Sequence, residues 1–336
     1  MRAFSPAIDG ARPVPAAGVI HLFPGQGDFP VSPLARATRP GGALREAAFQ
    51  VFEQVDQVAV ERGCPPLAPW LLSSRAPGGR DLARARLGTV QLALFGACLT
   101  VHQGLCAAMG EPDAVVGVSF GEIAALTAAG VFSVADGARI AHDLARVLAE
   151  CPGGLTVLGC SEQTALTLVE HAGARELAVA CVNDDHETVL SGPSAELTAL
   201  EEEAGHKGVT ATRLKLPFSS HHPALQQQAR IFAAAVRGYP AATADRTVYS
   251  AVAGRAYTAS DDLAARLADC LVRPALLPQV LPQAAGRRPV ALYEAGTGSA
   301  LSRSAQRVLA DRPVTVHAPL ADAAFEWRSV QRPEPT

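Results

Sequence analysis

The chain has 336 residues, of which 49% are hydrophobic and 18% are charged, and its formal net charge at pH 7 is −3. This composition is typical of a globular protein with ample material for a core, and it excludes an intrinsically disordered chain. The small net charge gives no broad basic surface, so we expect no nucleic-acid partner. The length predicts either two domains or one large domain with a smaller insertion.

The seven cysteines are scattered along the chain and form no CxxC pair. We therefore expect free thiols in a reducing compartment, and the spacing predicts no metal site. The N-terminal residues lack the apolar core of a secretory signal, and no uninterrupted apolar run reaches membrane-spanning length. These features predict a cytoplasmic protein with no membrane partner.

In chain order, the predicted elements begin after a loose lead-in over residues 1–17. A strand over 18–23 ends at the turn Pro24-Gly25-Gln26-Gly27, and it is followed by a helix over 42–62, a loop over 64–80 and a helical segment over 81–109. A second buried strand over 114–117 leads directly to Ser119 and to an apolar helix over 122–129.

The pattern changes after Cys151. Strands are predicted at 155–160, 177–182, 187–190 and 209–214, with helices at 162–171 and 195–204, and this βαββαβ order is typical of a ferredoxin-like fold. Further strands follow at 248–252, 290–293 and 314–317. We therefore predict an α/β protein: an α/β-hydrolase-like large domain over 18–150 and 215–325, an inserted ferredoxin-like subdomain over 151–214, and a C-terminal tail over 326–336.

The pentapeptide Gly117-Val118-Ser119-Phe120-Gly121 matches Gly-x-Ser-x-Gly between a strand and a helix. A nucleophile elbow requires this context, because the glycines allow a sharp turn that projects the serine hydroxyl. An incidental glycine-rich turn is the alternative, but the strand and helix on either side favour the elbow. Ser119 is therefore the predicted nucleophile.

A serine nucleophile needs a base, and the segment Phe218-Ser219-Ser220-His221-His222 offers two adjacent imidazoles. The residues alone do not choose between His221 and His222. The other histidines, including His102 and His142, are expected to be ordinary surface groups.

These motifs together resemble one family. The turn at Gln26, the Ser119 elbow continuing as Gly121-Glu122, and Ser220-His221 resemble malonyl-CoA:acyl-carrier-protein transacylases and polyketide-synthase acyltransferases. Further matches, in the same order as in the family, are Gln91-Leu92-Ala93-Leu94, Val182-Asn183, Leu190-Ser191-Gly192 and Glu294-Ala295-Gly296. The resemblance runs from about residue 18 to about residue 320.

The resemblance implies a role for each matching residue. Ser119 would attack a thioester, the backbone N–H groups of Gln26 and Phe120 would form the oxyanion hole, and His221 would be the general base. The ring of His221 would be oriented by a backbone carbonyl, which counting back from Pro274 puts near Cys270. The expected substrate-binding residues are Gln91, Leu144, Asn183, Phe218 and Ser220.

Two positions depart from the family. Val118 stands where the elbow usually has histidine, and counting 25 residues on from Ser119 reaches Leu144, where the family has an arginine that binds the free carboxylate of malonyl. Arg146 lies two helical positions further on, and it would serve only if the register slipped. Because Ser219 and Ser220 are small as well, we expect a wide apolar pocket for a monocarboxylic, aminoacyl or peptidyl chain rather than a dicarboxylic one.

The family resemblance also implies partners. The expected ones are an acyl thioester and an acyl carrier protein on which the chain acts in trans; no cofactor is expected to be resident, and phosphopantetheine or coenzyme A would carry the thioester. Carriers are acidic, so Arg146, Arg303 and Arg307 are candidate carrier contacts. Two enzyme alternatives stay open: a hydrolase that clears stalled carriers, and a malonyl transacylase. A third alternative, a non-catalytic carrier-binding scaffold, is disfavoured because Ser119, His221 and the Gln26 turn are all present.

Overall fold

The computed structural model describes residues 18–27, 29–73, 77–78, 81–82 and 84–327. The predicted lead-in, most of the predicted C-terminal tail and parts of the predicted loop over 64–80 lie outside these residues. The described part is a mixed α/β structure built on two sheets, as the sequence predicted.

The larger sheet has six strands in the order β11-β10-β1-β2-β7-β8. They are β1 Gly18–Phe23, β2 Ala114–Gly117, β7 Thr247–Ser250, β8 Arg255–Ala256, β10 Val290–Glu294 and β11 Val314–His317. All neighbours are parallel except β7 and β8. The carboxyl ends of β1, β2 and β10 therefore meet at one edge, where Phe23 pairs with Gly117 and Leu22 pairs with Glu294.

The smaller sheet has the order β6-β3-β5-β4-β9. Its strands are β3 Gly154–Leu158, β4 Ala178–Asp184, β5 Glu187–Gly192, β6 Ala211–Arg213 and β9 Ala275–Leu276. The first four are antiparallel and have the strand order of the predicted ferredoxin-like fold. The fifth, β9, pairs in parallel with β4 and comes from a later part of the chain.

The helices cover both sheets. Their bounds are Val31–Ala37, Arg45–Glu61, Ala68–Leu71, Thr89–Met109, Gly121–Ala128, Val134–Leu148, Glu162–His171, Ser194–His206, Gln226–Val236, Leu263–Ala268, Leu277–Ala285 and Ala300–Val308, with short 3₁₀ turns at Pro223–Leu225 and Asp269–Leu271. The sequence analysis proposed no helix after residue 214, whereas four α-helices lie there.

The cores follow from strand alternation in the smaller sheet, because successive side chains of a strand point to opposite faces. Leu158 and Leu190 join a small cluster under the helices Glu162–His171 and Ser194–His206. Leu155 and Val189 face the other way and join the main core that surrounds the larger sheet. The smaller sheet is thus buried on both faces, and one of them looks toward the larger sheet.

The helix Thr89–Met109 is long and apolar enough to cross a membrane by length and composition alone, contrary to the reading of the sequence. However, 72% of its most apolar window is buried inside the protein, as in the core helix of a globular fold.

The seven cysteines are all free, as predicted. His102 and His142 are buried rather than exposed, so the expectation of surface histidines was wrong for these two.

Candidate active site

A cavity of about 570 Å³ opens between the two sheets, at the carboxyl edge of the larger one. One wall is formed by the residues that follow β1, β2 and β10, including Gln26, Ser119 and Gly298. The opposite wall is formed by Leu155, Val189 and other residues of the smaller sheet. Ligands of open α/β sheets bind at this edge, so the cavity is where a substrate is expected.

Ser119 projects into this cavity from a strained turn. Its φ is 54°, in the left-handed region that residues other than glycine rarely adopt. A Cβ on Gly121 would overlap the carbonyl oxygen of Phe23, and one on Gly117 would meet Glu122. The two glycines of the motif are therefore required by close packing, and the turn has the strain expected of a nucleophile elbow.

The base is His221. Its Nε2 lies 2.7 Å from Ser119 Oγ, and its backbone also has a left-handed φ, of 56°. Its Nδ1 lies 2.6 Å from the carbonyl oxygen of Arg273. A carbonyl only accepts, so Nδ1 carries the proton and Nε2 is left to accept the proton of Ser119.

His222 makes different contacts. Its Nε2 lies 2.7 Å from the carbonyl oxygen of Glu176, and its Nδ1 accepts from the backbone N–H of Ala224 at 3.3 Å. The ring thus caps the 3₁₀ turn Pro223–Leu225 and points away from Ser119. Of the two adjacent histidines, only His221 is hydrogen-bonded to Ser119.

The carbonyl that orients His221 is not the one counted from the sequence. The carbonyl of Cys270 accepts from the backbone N–H of His221, at 3.2 Å, whereas the ring bonds to Arg273. Cys270 lies within the 3₁₀ turn Asp269–Leu271, whereas Arg273, directly before Pro274, lies beside the ring. The kind of group was predicted correctly and its position was wrong.

The backbone N–H groups of Gln26 and Phe120 make no hydrogen bond to any other described residue. Gly25 packs against the carbonyl of Val118, which brings the turn after β1 against the elbow. The side chain of Gln91 donates to Gln26 Oε1 at 2.8 Å and so holds this turn. Gln91 therefore lies behind the turn rather than in the cavity wall.

Of the other predicted substrate-binding residues, Leu144, Asn183, Phe218 and Ser220 all line the cavity. Ser219 does not, because its hydroxyl donates toward the carbonyl oxygens of Gly192 and Pro152. We expected both serines to widen the pocket, but only Ser220 lies in the cavity wall.

The predicted carrier contacts have three different environments. Arg303 is exposed and lines the cavity, with Nη1 2.7 Å from Ser299 Oγ. Arg307 pairs with the buried carboxylate of Asp184 at 3.2 Å. Arg146 is exposed and lies outside the cavity wall.

Residues 80–319 match the family described as the acyl transferase domain. This chain belongs to that family. Erythronolide synthase EryA3 of Saccharopolyspora erythraea is 34% identical over 257 residues, which is 73% of this chain and 8% of that protein. The conidial pigment polyketide synthase PfmaE of Pestalotiopsis fici is 34% identical over 175 residues, 51% of this chain and 8% of that protein.

The chain thus spans less than a tenth of the length of these two relatives. Solved structures support the fold. The malonyl-CoA:acyl carrier protein transacylase of Xanthomonas oryzae pv. oryzae superposes with a TM-score of 0.75 at 24% identity, covering 92% of this chain and 96% of that one. The acyltransferase domain from module 8 of the salinomycin polyketide synthase gives 0.76 at 24%, covering 89% and 69%.

One functional residue of this acyltransferase was not recognised from the sequence. Glu122 follows the elbow and is fully buried, and its carboxyl group accepts from Ser250 Oγ at 2.8 Å and from the Tyr257 hydroxyl at 2.6 Å. Burial raises the pKa of Glu122 to about 7. These bonds tie the segment that follows Ser119 to β7 and to the residue after β8. Glu122 thereby helps to hold the elbow in place.

We predict that His221→Ala slows acyl loading of Ser119 by about 10²–10⁴-fold, the usual contribution of a general base. His222→Ala should lose far less, because its ring only caps a turn. Intact-mass measurement of the acylated chain after mixing with an acyl thioester gives both rates, and Ser119→Ala supplies the blank. Equal losses in the two histidine variants would contradict the assignment.

The second prediction concerns pH. Burial lowers the pKa of His221 to about 4, although the bond to Arg273 opposes this shift. The neutral ring is the base, so its working form predominates above about pH 4 and is lost as the pH falls through that value. Loading should therefore stay constant from neutral pH down to about pH 5, whereas an unperturbed imidazole would lose half its activity near 6.5.

The measurement is a single-turnover loading rate at each pH, with circular dichroism at the same pH as the control for folding. A loss of rate centred near pH 6.5 in a folded protein would show that the pKa of His221 is not lowered.

Proposed function

We propose that this acyltransferase moves a non-dicarboxylic acyl group, monocarboxylic, aminoacyl or peptidyl, onto the phosphopantetheine thiol of an acyl carrier protein, acting in trans. Ser119 Oγ attacks the thioester carbonyl carbon while His221 Nε2 takes the hydroxyl proton. The carbon–sulfur bond breaks, and the departing thiolate takes that proton. The thiol of the acceptor carrier then reverses these steps, which gives ping-pong kinetics.

The N–H groups of Gln26 and Phe120 would hold the oxygen of the tetrahedral intermediate. Both belong to turns at the carboxyl edge of the larger sheet, one after β1 and one after β2. Such donors act strongly because they are fixed before the charge develops. Their freedom from other described partners supports this role.

The observation that carries the substrate proposal is Leu144. This side chain lies in the cavity wall and is 2% exposed, whereas Arg146 is exposed on another side of the same helix. Leu148, Leu155 and Phe218 also line the cavity. A buried carboxylate next to these groups would lack a charged partner, whereas an apolar chain would gain about 25 cal/mol for each Å² removed from water.

One observation favours the malonyl alternative. Arg36 and Arg303 are exposed and line the same cavity, so a dicarboxylic chain that reached either guanidinium would find a partner. Neither residue lies on the helix Val134–Leu148 that carries Leu144. The choice of substrate therefore depends on which wall the acyl chain contacts.

The third prediction is that Ser119 loads monocarboxylic or aminoacyl thioesters in preference to malonyl when both are supplied in equal amounts. A site that lacks one required polar partner discriminates by up to about 10⁴-fold. Leu144→Arg should raise malonyl loading relative to the neutral chain by about 10-fold, the worth of one charge-assisted hydrogen bond. Competition followed by intact-mass measurement gives the ratio.

Arg146→Leu is the matched control, because it removes the cation nearest in sequence without changing the cavity wall. It should leave the ratio unchanged. Faster malonyl loading on the unmodified protein would contradict the proposal, and a test of Arg36→Leu and Arg303→Leu would then locate the carboxylate partner.

Carrier binding is proposed at the rim of the cavity. Arg303 is exposed there, and carriers are acidic, so attraction across the rim would speed encounter. Arg307 is the weaker candidate, since its guanidinium already pairs with the buried Asp184. Arg146 lies outside the cavity wall, so its contact with a carrier is proposed only at the periphery.

The fourth prediction is that Arg303→Glu slows transfer to an acyl carrier protein by about 10-fold at low salt, while loading from a small thioester persists. The difference from the unmodified protein should shrink as salt is added, because exposed charges are screened. Arg288→Glu is the matched control, since Arg288 is exposed just before β10, at the opposite edge of the sheet. Carrier docking at this rim would be contradicted if neither added salt nor the Arg303→Glu change altered the transfer rate.

A further inference from the structure

Two buried histidines face each other outside the catalytic cavity. His21 on β1 and His102 on the helix Thr89–Met109 have their Nδ1 atoms 2.8 Å apart, and both side chains are buried. Within the described residues, His21 Nε2 is buried without any hydrogen-bond partner.

Cys106 completes the group. It lies one helical turn after His102, and its Sγ is 3.6 Å from His102 Nε2 and 3.8 Å from His102 Nδ1. The ligand atoms of His21, His102 and Cys106 all lie within 4.8 Å of one another. The carboxylate of Glu111 approaches from the solvent side, with Oε2 3.4 Å from Cys106 Sγ.

From this juxtaposition we propose that His21, His102 and Cys106 bind a thiophilic divalent transition-metal ion such as Zn²⁺, with Glu111 as the fourth ligand. Neutral imidazole nitrogens and a thiolate are the ligands that zinc prefers, and a carboxylate oxygen is a common addition. The site is separate from Ser119 and His221 and does not depend on the proposed acyl transfer.

The distances are close to those of a tetrahedral site. With Zn–N near 2.0–2.1 Å and Zn–S near 2.3 Å, neighbouring ligand atoms lie about 3.3 Å apart for two nitrogens and about 3.6 Å apart for nitrogen and sulfur. The Nδ1 atoms of the two histidines are 2.8 Å apart, and Cys106 Sγ lies 3.6–3.8 Å from the His102 ring nitrogens. Shifts of about half an ångström would therefore admit the ion.

Charge also balances. Binding through a thiolate requires the Cys106 thiol to release one proton to solvent, and histidines bind such an ion as neutral rings. The thiolate, Glu111 and Asp245 would then face the divalent ion and Arg246, whose guanidinium bonds both carboxylates at 2.6–2.7 Å. Three negative charges are set against three positive ones. Arg246 is thus an outer partner that orients Glu111 rather than a competitor for the whole site.

The bound ion would cross-link two elements of the active site. β1 leads to the turn that carries Gln26, and the helix Thr89–Met109 begins beside Gln91, which holds that turn. No local sequence pattern indicates this arrangement, because His21 and His102 are 81 residues apart and only the fold brings them together.

The test uses the full chain, stripped with a chelator and titrated with Co²⁺ under reducing conditions. We expect one ion per chain, the visible absorption of tetrahedral cobalt, and a near-ultraviolet thiolate-to-cobalt charge-transfer band that Zn²⁺ abolishes by displacement. Cys106→Ser should lose that band and bind at least about 100-fold more weakly, while Glu111→Gln should keep the band and bind about 10-fold more weakly.

Cys160→Ser is the matched control, because this partly buried free thiol lies in the smaller domain, away from the cluster. It should keep the band and the affinity of the unmodified protein. Zn²⁺ should raise the thermal unfolding midpoint of the unmodified protein and of Cys160→Ser, but not that of Cys106→Ser. The proposal is overturned if the unmodified protein shows no charge-transfer band, or if Cys106→Ser retains it.

Discussion

The hydrogen bond between Ser119 Oγ and His221 Nε2 is the interaction on which the site depends, and it joins residues 102 positions apart. Both residues have a left-handed backbone, a conformation that costs about 1–3 kcal/mol at each. Contacts elsewhere in the fold must offset that strain, both at Ser119 and at His221. The buried bonds of Glu122 hold the elbow, and the carbonyls of Cys270 and Arg273 hold the histidine.

The burial of His221 has two opposite effects: it keeps the ring neutral and free to accept a proton, and it makes the protonated ring less stable. A fully buried ring with a lowered pKa is always neutral near pH 7 and is always ready to accept a proton. The imidazolium that forms during attack is costly there, since Nδ1–H faces a carbonyl dipole and no described carboxylate bonds to it. In the proposed mechanism, much of the stabilisation would therefore come from oxyanion donors at Gln26 and Phe120, which would act where the negative charge develops.

Local chemistry could be read from the sequence, and long-range geometry could not. Ser119 was predictable because an elbow needs a strand, two glycines and a helix within a few residues. The choice of His221 needed the family resemblance. Its carbonyl partner was misplaced, because the ring bonds to Arg273 whereas Cys270 bonds to the backbone of His221. The pairing of His21 with His102 left no local pattern at all, since a strand and a helix far apart in sequence supply it.

The residues proposed to set substrate selectivity and those proposed to carry the chemistry lie on different elements, which are connected by a hydrogen bond. Leu144 belongs to a helix and Val189 to the smaller sheet, and neither has a bond to the catalytic pair. However, the backbone N–H of Ser220 donates to Ser191 Oγ on β5, one residue before His221. A movement of the smaller sheet would therefore change the width of the cavity and the position of the base together. An acyl chain that pushed the sheets apart would therefore also move His221 relative to Ser119.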